Sequence, residues 1–429
     1  MIYSTKTIAA IALLLLLNQA GTTQTTFDLS AQLIARPELR SGYRTLPPPG
    51  AGIAFFTSQR TRLNAAFTNE YVKIGLSLQD VRVWGEEPQL ADIASFGLHE
   101  GWAEVNLGKH TALKVGRQEL VYDDQRLFGN NDWEGQGSSH DAAVLKIKYA
   151  KSAFHFGAAF NQASARLFGQ SDPVGTYKAL GWLWYNRKFA GEKFELSLYG
   201  VTDAFPADVS LHRNITFFRG TAGPMLHFTS GKFKASTTFF GQFGKDNFDA
   251  NISAFLGAAS FGYTVSNKFD ITIGYDYISG NKALRTPATE NHSFSTLYGS
   301  SHMFYGFMDY FLNLPKDTRS GGLQNAYLKW NISASPRTTI GLDAHYFLLA
   351  NRVKTDENYL ANYPLGLELD FTAIHRINAF AKAQFGFSAM FGHSSLEALN
   401  KVSGGSADKP GIWGYIMLIV HPSLFKVEK

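Results

Sequence analysis

Apolar and polar residues alternate with a period of two along most of this chain, from Phe27 onward. In the first such segment one parity consists of Phe27, Leu29, Ala31, Leu33, Ala35 and Leu39, and the other of Asp28, Ser30, Gln32, Arg36, Glu38 and Arg40. The same split recurs near residues 154–161, 271–277, 340–348 and 367–376. A period of two is typical of β-strands with one buried face, and each apolar row is long enough to cross a bilayer as a tilted strand.

The connections between these segments separate a membrane barrel from a soluble sandwich. Tight links are expected near 68–69, 108–110, 150–151, 190–191, 230–231, 266, 333–335 and 379–380. Longer polar links lie near 41–54, 84–95, 120–139, 164–175, 204–213, 243–248, 281–322, 351–365 and 393–409. Strict alternation of short and long links is typical of outer-membrane barrels, with short turns in the periplasm and long loops outside. We therefore predict an all-β, antiparallel, up-and-down transmembrane barrel of about 18 strands, or 16 if boundaries shift.

The composition agrees with a barrel that is apolar outside and wet inside. Only 17% of residues are charged, whereas 14% are aromatic, and the mean hydropathy of -0.13 is close to neutral. The chain contains no cysteine, which excludes a lipoprotein anchor, disulfides and cysteine-based metal or catalytic sites.

The amino terminus resembles a secretion signal. Lys6 precedes an apolar run over residues 8–17 that is too short to span a bilayer. We expect a signal peptide at residues 1–20 with cleavage at about 20–26, followed by a single barrel domain at residues 27–425. The predicted location is the outer membrane of a Gram-negative bacterium.

Arginines concentrate in the first predicted strands. Arg36, Glu38 and Arg40 share the lumen-facing parity of one strand, and Arg60 and Arg62 share it on the next. Inward rows of neighbouring strands come within contact distance, so these arginines should form a basic wall. Excess fixed positive charge in a pore favours anions, whereas the alternative interpretation is an arginine–glutamate ladder that only makes the lumen rigid.

Several short motifs resemble the alginate export family of outer-membrane channels. They are Arg36-x-Glu38, Arg60-Thr61-Arg62-Leu63, Gln79-Asp80-x-Arg82-x-Trp84, Gly116-Arg117-Gln118-Glu119, Asp124-Gln125-Arg126-Leu127, Asp132-Trp133 and Asp141. The resemblance implies a monomeric 18-stranded barrel whose electropositive constriction passes a uronic-acid polymer to the cell surface. It also implies that Arg36, Arg60, Arg62, Arg82, Arg117 and Arg126 are lumen residues, with Glu38, Glu119 and Asp124 as their partners. Glu100 and Glu104 share one parity and are further lumen candidates.

The favoured function is passive, anion-selective passage, in the direction of export, of an acidic polysaccharide or oligosaccharide. Expected partners are that polymer, outer-membrane lipid and periplasmic export or modification proteins. One alternative is a general or anion-selective porin for uptake of small solutes. A second is an outer-membrane barrel enzyme, which would need a serine–histidine pair, and Ser388 and His393 are too far apart to form one.

Neither a cofactor nor a metal is expected. The histidines His345, His375, His393 and His421 lack metal-ligand spacing, and Asp123-Asp124 and Asp356-Glu357 are interpreted as solvated loop acids. The apolar outward row argues against nucleic acid as a partner. Trp182, Trp184, Trp330, Trp413 and Tyr415 are candidates for the aromatic girdles at the lipid interface.

Overall fold

The computed structural model describes residues 24–90, 93, 95–170, 175, 177–211, 215–283, 288–355, 361–399 and 404–428. The predicted signal peptide and Asp356-Glu357 lie outside these residues. The strands are β1 (Thr26–Ser41), β2 (Ala54–Thr68), β3 (Val72–Val83), β4 (Gly97–Gly108), β5 (Thr111–Gln118), β6 (His140–Lys148), β7 (Ser152–Phe160), β8 (Ala179–Phe189), β9 (Phe194–Pro206), β10 (Thr216–Ser230), β11 (Phe233–Lys245), β12 (Asn251–Ser266), β13 (Phe269–Ile278), β14 (Glu290–Asn291), β15 (Leu323–Ser335), β16 (Thr338–Leu349), β17 (Pro364–Arg376), β18 (Ala381–Gly392), β19 (Gly411–Val420) and β20 (Ser423–Glu428). One six-residue helix, α1 (Ser394–Leu399), and three single 3-10 turns complete the described elements.

The strands close into a barrel of 18 antiparallel strands, which confirms the prediction. Each long strand pairs with its neighbours in chain order, and β1 closes the barrel by pairing with β2 on one side and with β19 and β20 on the other. β19 and β20 lie end to end along β1 and form one barrel strand, interrupted at residues 421–422. The two-residue β14 makes a parallel bridge to the end of β12 and is not a barrel strand.

Short and long connections alternate as predicted, with boundaries shifted by a few residues. One end of the barrel carries links such as 69–71, 109–110 and 231–232, and the other carries links such as 119–139 and 279–322. Gly231 begins one tight turn with φ +59°, a left-handed backbone that glycine adopts without a steric penalty. The short-turn end is the periplasmic end in barrels of this kind.

The outward rows are apolar and exposed, as a lipid-facing surface requires. Leu39, Phe55 and Ile74 are 52%, 68% and 47% exposed, while the polar residues that alternate with them point inward. Burial of the apolar row in lipid is favourable because bilayer hydrocarbon replaces water around it. No helix among the described residues has the length and apolar character needed to cross a membrane.

Two long connections fold into the lumen instead of remaining at the rim. We name residues 119–139 the first lumen loop and residues 279–322 the second lumen loop. They meet through the amide of Gly129, which donates to Tyr298 O at 2.9 Å, and the amide of Tyr298, which donates to Leu127 O at 3.1 Å. Phe128 stacks on the Tyr298 ring at 5.8 Å and is fully buried. The largest buried apolar cluster of the described chain therefore lies inside the barrel.

Candidate functional site

A wall of four arginines lines the lumen on β1 and β2, with the Glu38 carboxylate at its centre. Nε of Arg36 donates to Glu38 Oε1 at 2.9 Å, and Nη2 of Arg40 donates to Oε2 at 2.8 Å. The indole of Trp413 on β19 donates to the same Oε2 at 3.0 Å. The Ser58 hydroxyl donates to Oε1 at 3.2 Å, and since Glu38 is only 1% exposed, its charge is balanced by these protein donors and not by water.

Glu38→Ala should destabilise the barrel by about 3 kcal/mol, because two guanidinium groups would lose their buried counter-charge. Urea unfolding of the protein in detergent, followed by tryptophan fluorescence, would measure the change. Glu70→Ala, at an exposed carboxylate in the 69–71 turn, is the matched control and should leave the unfolding free energy within 0.5 kcal/mol, on the order expected for surface changes. Equal stability of the two variants would show that the Glu38 cluster is not a structural ion pair.

The other two arginines meet the first lumen loop. Arg60 Nη1 lies 2.8 Å from Asp132 Oδ1, and Arg62 Nη1 lies 3.5 Å from the same atom. Arg62 is also 3.8 Å from Glu119 and donates to Gln79. Four arginines thus face Glu38, Glu119 and Asp132, a smaller positive excess than the strands alone predict. Alternation along strands does not predict Asp132 at this position, because it says nothing about where a long loop folds.

Glu119 anchors the start of the first lumen loop. Nε2 of His99 lies 2.8 Å from one carboxylate oxygen, and Nδ2 of Asn130 donates to the other at 2.8 Å. Burial acts to raise the pKa of Glu119, but the hydrogen bonds from His99 and Asn130 hold it below its ordinary value. The carboxylate is therefore charged at neutral pH and can balance Arg62.

Arg126 reaches from the first lumen loop to the opposite wall. It lies 3.3 Å from Asp124 and 3.1 Å from Asp276 on β13, and its guanidinium covers the Phe304 ring of the second lumen loop at 4.1 Å. The structure thus brings Arg126 and Asp124 together and adds Asp276. Arg126 therefore joins the first lumen loop both to the β13 wall and to the second lumen loop.

Glu100 and Glu104 lie on the inward row of β4, where Glu104 binds two lysines and Glu100 accepts hydrogen bonds from Trp102 and from the amide of Glu119. Glu104 is 3.2 Å from Lys73 and 2.7 Å from Lys146, and Trp102 donates to Glu100 at 3.2 Å. This lysine group was not predicted, although Lys73 and Lys146 fall on polar parities that could have indicated it.

Arg82 does not lie in the lumen, which corrects the expectation drawn from the family resemblance, and Arg117 lies at the rim of the long-loop end. Arg82 is paired across the sheet with Gln59, whose side chain points to the opposite face from that of the neighbouring, inward Arg60. Arg82 binds Asp80 and Glu87. Arg117 alternates with the buried Gln118 and binds Asp141, whose side chain is 65% exposed. Directly paired residues share one face of a sheet, so Arg82 is on the outer face. Arg117 and Asp141 line the same cavity as His99 and Glu134.

An aromatic group joins the arginine wall to the two loops. Trp133 of the first lumen loop stacks on His302 of the second at 4.3 Å and contacts the Trp413 and Tyr415 rings, while Arg36 covers its indole. Trp413 and Tyr415 therefore point into the lumen and not toward lipid. Trp182 and Trp184 do so too, since they donate to Tyr122 and Asp123 of the first lumen loop. For these four residues the girdle prediction is wrong, because they occupy the inward parity.

Cavities lie on both sides of the two loops. One of about 1020 Å³ is lined by both loops, including Arg44, His99, Glu134 and Lys316. Another of about 810 Å³ at the short-turn end is lined by Lys73, Lys109, Lys146 and Lys148. In the described part of the chain no three histidine or acidic side chains are grouped to hold a metal ion. The arrangement consists of fixed charges around cavities, which suits binding and passage of charged solutes.

Comparisons with known proteins agree with this architecture. The family model described as alginate export matches residues 56–362. The fold is similar to a BenF-like porin from Pseudomonas fluorescens Pf-5, with 12% identity, coverage of 93% of this chain and 99% of that chain, and a TM-score of 0.60. It is also similar to OccK2 (OpdF) from Pseudomonas aeruginosa, solved in complex with glucuronate, with 14% identity, coverage of 93% and 98%, and a TM-score of 0.60. No curated protein sequence matches the chain. The matched family and fold are those of outer-membrane transport channels.

Proposed function

Because the chain belongs to the alginate export family, we propose that this outer-membrane channel carries an acidic polysaccharide or oligosaccharide similar to alginate, passively and outward. The arginine wall carries the proposal. Arg36, Arg40, Arg60 and Arg62 stand on the inward rows of two adjacent strands and outnumber the carboxylates they contact. We further propose that residues 1–20 are a signal peptide, that residues 27–425 are one barrel domain, and that periplasmic export or modification proteins deliver the polymer.

Arginine suits this function because its charge is permanent and its planar fork binds carboxylates through two hydrogen bonds. The N–H groups of the arginine wall are bound by carboxylates of the chain itself, those of Glu38, Glu119 and Asp132. A uronate carboxylate would exchange with them, so each contact is weak and reversible. Several weak sites in series allow a polyanion to bind without being trapped.

Uptake of small anions, as in a porin, is the second candidate function. The observation in its favour is that both lumen loops occupy the barrel interior and pack on each other. A polymer requires these loops to separate, whereas a small carboxylate needs only the space beside them. The two functions therefore differ in the length of anion that reaches the arginine wall.

Purified protein in planar bilayers distinguishes these functions. The reversal potential in a KCl gradient should show anion preference, and galacturonate oligomers should block the current with an affinity that rises with chain length. Anion preference with block by single galacturonate units alone would favour the porin function. Cation preference would contradict both.

A further inference from the structure

The short-turn end of the barrel carries a large excess of positive charge. Within three residues of its eight tight turns lie fourteen basic residues, Lys73, Lys109, Lys146, Lys148, Lys151, Arg187, Lys188, Lys193, Lys232, Lys234, Lys268, Arg337, Arg376 and Lys382. The same windows hold four acids, Glu70, Glu192, Glu195 and Asp270. The whole chain has a formal net charge of only +5, so the remaining residues are net negative.

Half of these basic residues stand on inward rows of strands spread around the barrel. Each shares the parity of a residue that contacts the lumen: Lys146 is opposite His155, Lys188 follows the buried Asn186 by two, and Lys382 precedes Gln384 by two. The inward set is Lys73, Lys146, Lys148, Lys188, Lys234, Arg376 and Lys382, which we name the basic vestibule. The inward acids at this level are Asp28, Glu104, Glu195, Asp270 and Glu428, and Glu428 binds Lys426, a further inward base.

Most of the basic vestibule has no counter-charge in the described chain. Glu104 binds both Lys73 and Lys146, but Lys148, Lys234, Arg376 and Lys382 form no ion pair there. Arg376 and Lys382 even stand directly opposite each other on β17 and β18. Like charges in directly opposed positions destabilise a sheet. An anion bound from outside the chain would reduce the repulsion between Arg376 and Lys382.

We infer that the basic vestibule is the entrance at which an acidic polymer is captured from the periplasmic side. This inference rests on the proposed function and adds to it the location of capture and its side of the membrane. Lipid headgroups are the other anions at this end, but they would meet the outer face, and the vestibule side chains stand on the inward one. The cavity of about 810 Å³ lined by Lys73, Lys146 and Lys148 gives the captured segment space.

The vestibule acts through the rate of association. Exposed charges of one sign around a mouth attract an oppositely charged polymer before it touches the arginine wall. The wall and the vestibule thus have separate roles, since the wall sets which ion passes and the vestibule sets from which side a polyanion arrives.

The test is the blocking rate of galacturonate hexamers added to one side of a bilayer. The triple variant Lys148→Glu, Lys234→Glu and Lys382→Glu reverses three unpaired inward charges. The matched control Arg187→Glu, Lys232→Glu and Arg337→Glu makes the same charge change at the same end, outside the inward rows. The chain has no cysteine, so Leu90→Cys places a single thiol in the exposed long connection 84–96. A membrane-impermeant thiol reagent added to one side of the bilayer then reports the orientation of each channel.

The triple variant should slow block from the short-turn side about tenfold or more, as expected when electrostatic steering is reversed. Block from the long-loop side and the reversal potential should change little. An equal loss of blocking rate in the control would overturn the inference and point to lipid headgroups or to the electrostatic field of the whole short-turn end. Wild-type block that is equally fast from both sides would also overturn it. If the triple variant does not insert, the corresponding lysine-to-glutamine variants should show a smaller loss with the same sidedness. A wild type without anion preference or block would instead refute the proposed function.

Discussion

Replacing residues 119–139 with a two-residue Asn-Gly turn should raise single-channel conductance several-fold and strengthen the preference for anions. Gln118 and His140 are directly paired in the ladder, so a tight turn can close this hairpin. The first lumen loop contains Glu119, Asp123, Asp124, Asp132 and Glu134 but a single basic residue, Arg126. Its removal therefore widens the lumen and frees Arg60 and Arg62 from their counter-charges. Conductance and reversal potential in planar bilayers measure both effects.

The matched control shortens a different long connection. Replacing residues 85–95 with a Gly-Ser linker leaves the arginine wall intact, because Trp84 and Leu90 in that connection are exposed at 59% and 100%. Its conductance should equal that of the wild type. If the variant without the first lumen loop also conducts like the wild type, the second lumen loop alone sets the narrowest point.

Arg60→Ala with Arg62→Ala should lower the anion preference several-fold and can convert the channel to cation preference. Both guanidinium groups are buried in the lumen wall, and their loss leaves Asp132 and Glu119 without these cations. Carboxylates in a narrow pore attract cations and repel anions. The reversal potential in a KCl gradient is the measurement.

Arg82→Ala is the control, since it removes an arginine of the same segment from the outer face. Its selectivity should match the wild type. Loss of selectivity in the control but not in the Arg60 and Arg62 variant would mean that the outer rim selects ions. Unchanged selectivity in both variants would leave the arginine wall with a structural role alone.

The architecture could be predicted from the sequence because a barrel is built from local rules. The alternation of residues such as Gln32 and Leu33 is disturbed little by distant contacts, and the turn positions follow from local composition. Even the weakly patterned segments near 96–107, 214–229 and 249–265 form β4, β10 and β12. Each strand needs only its two neighbours, so errors of one or two residues at its ends do not change the topology.

The site was predicted less well, for two separate physical reasons. Arg82 shares parity with Ile74 and Leu76, so alternation places it on the outer face, and the motif resemblance pointed to the wrong side. Asp132 and Trp133 lie in a loop whose position depends on contacts with β2, β19 and the second lumen loop. No periodicity along the chain encodes those contacts.

The seam between the two lumen loops has a consequence for how the protein is assembled. The barrel wall can grow hairpin by hairpin, since its pairings are between neighbours in the chain except where β1 closes on β19 and β20. The seam instead joins residues 125–129 to 298–300, so the interior cannot be completed until strands far along the chain are in place. Contacts between such distant segments form slowly, because a long stretch of chain must first be ordered. The lumen of the early strands therefore stays hydrated until late in folding, with its arginines still solvated.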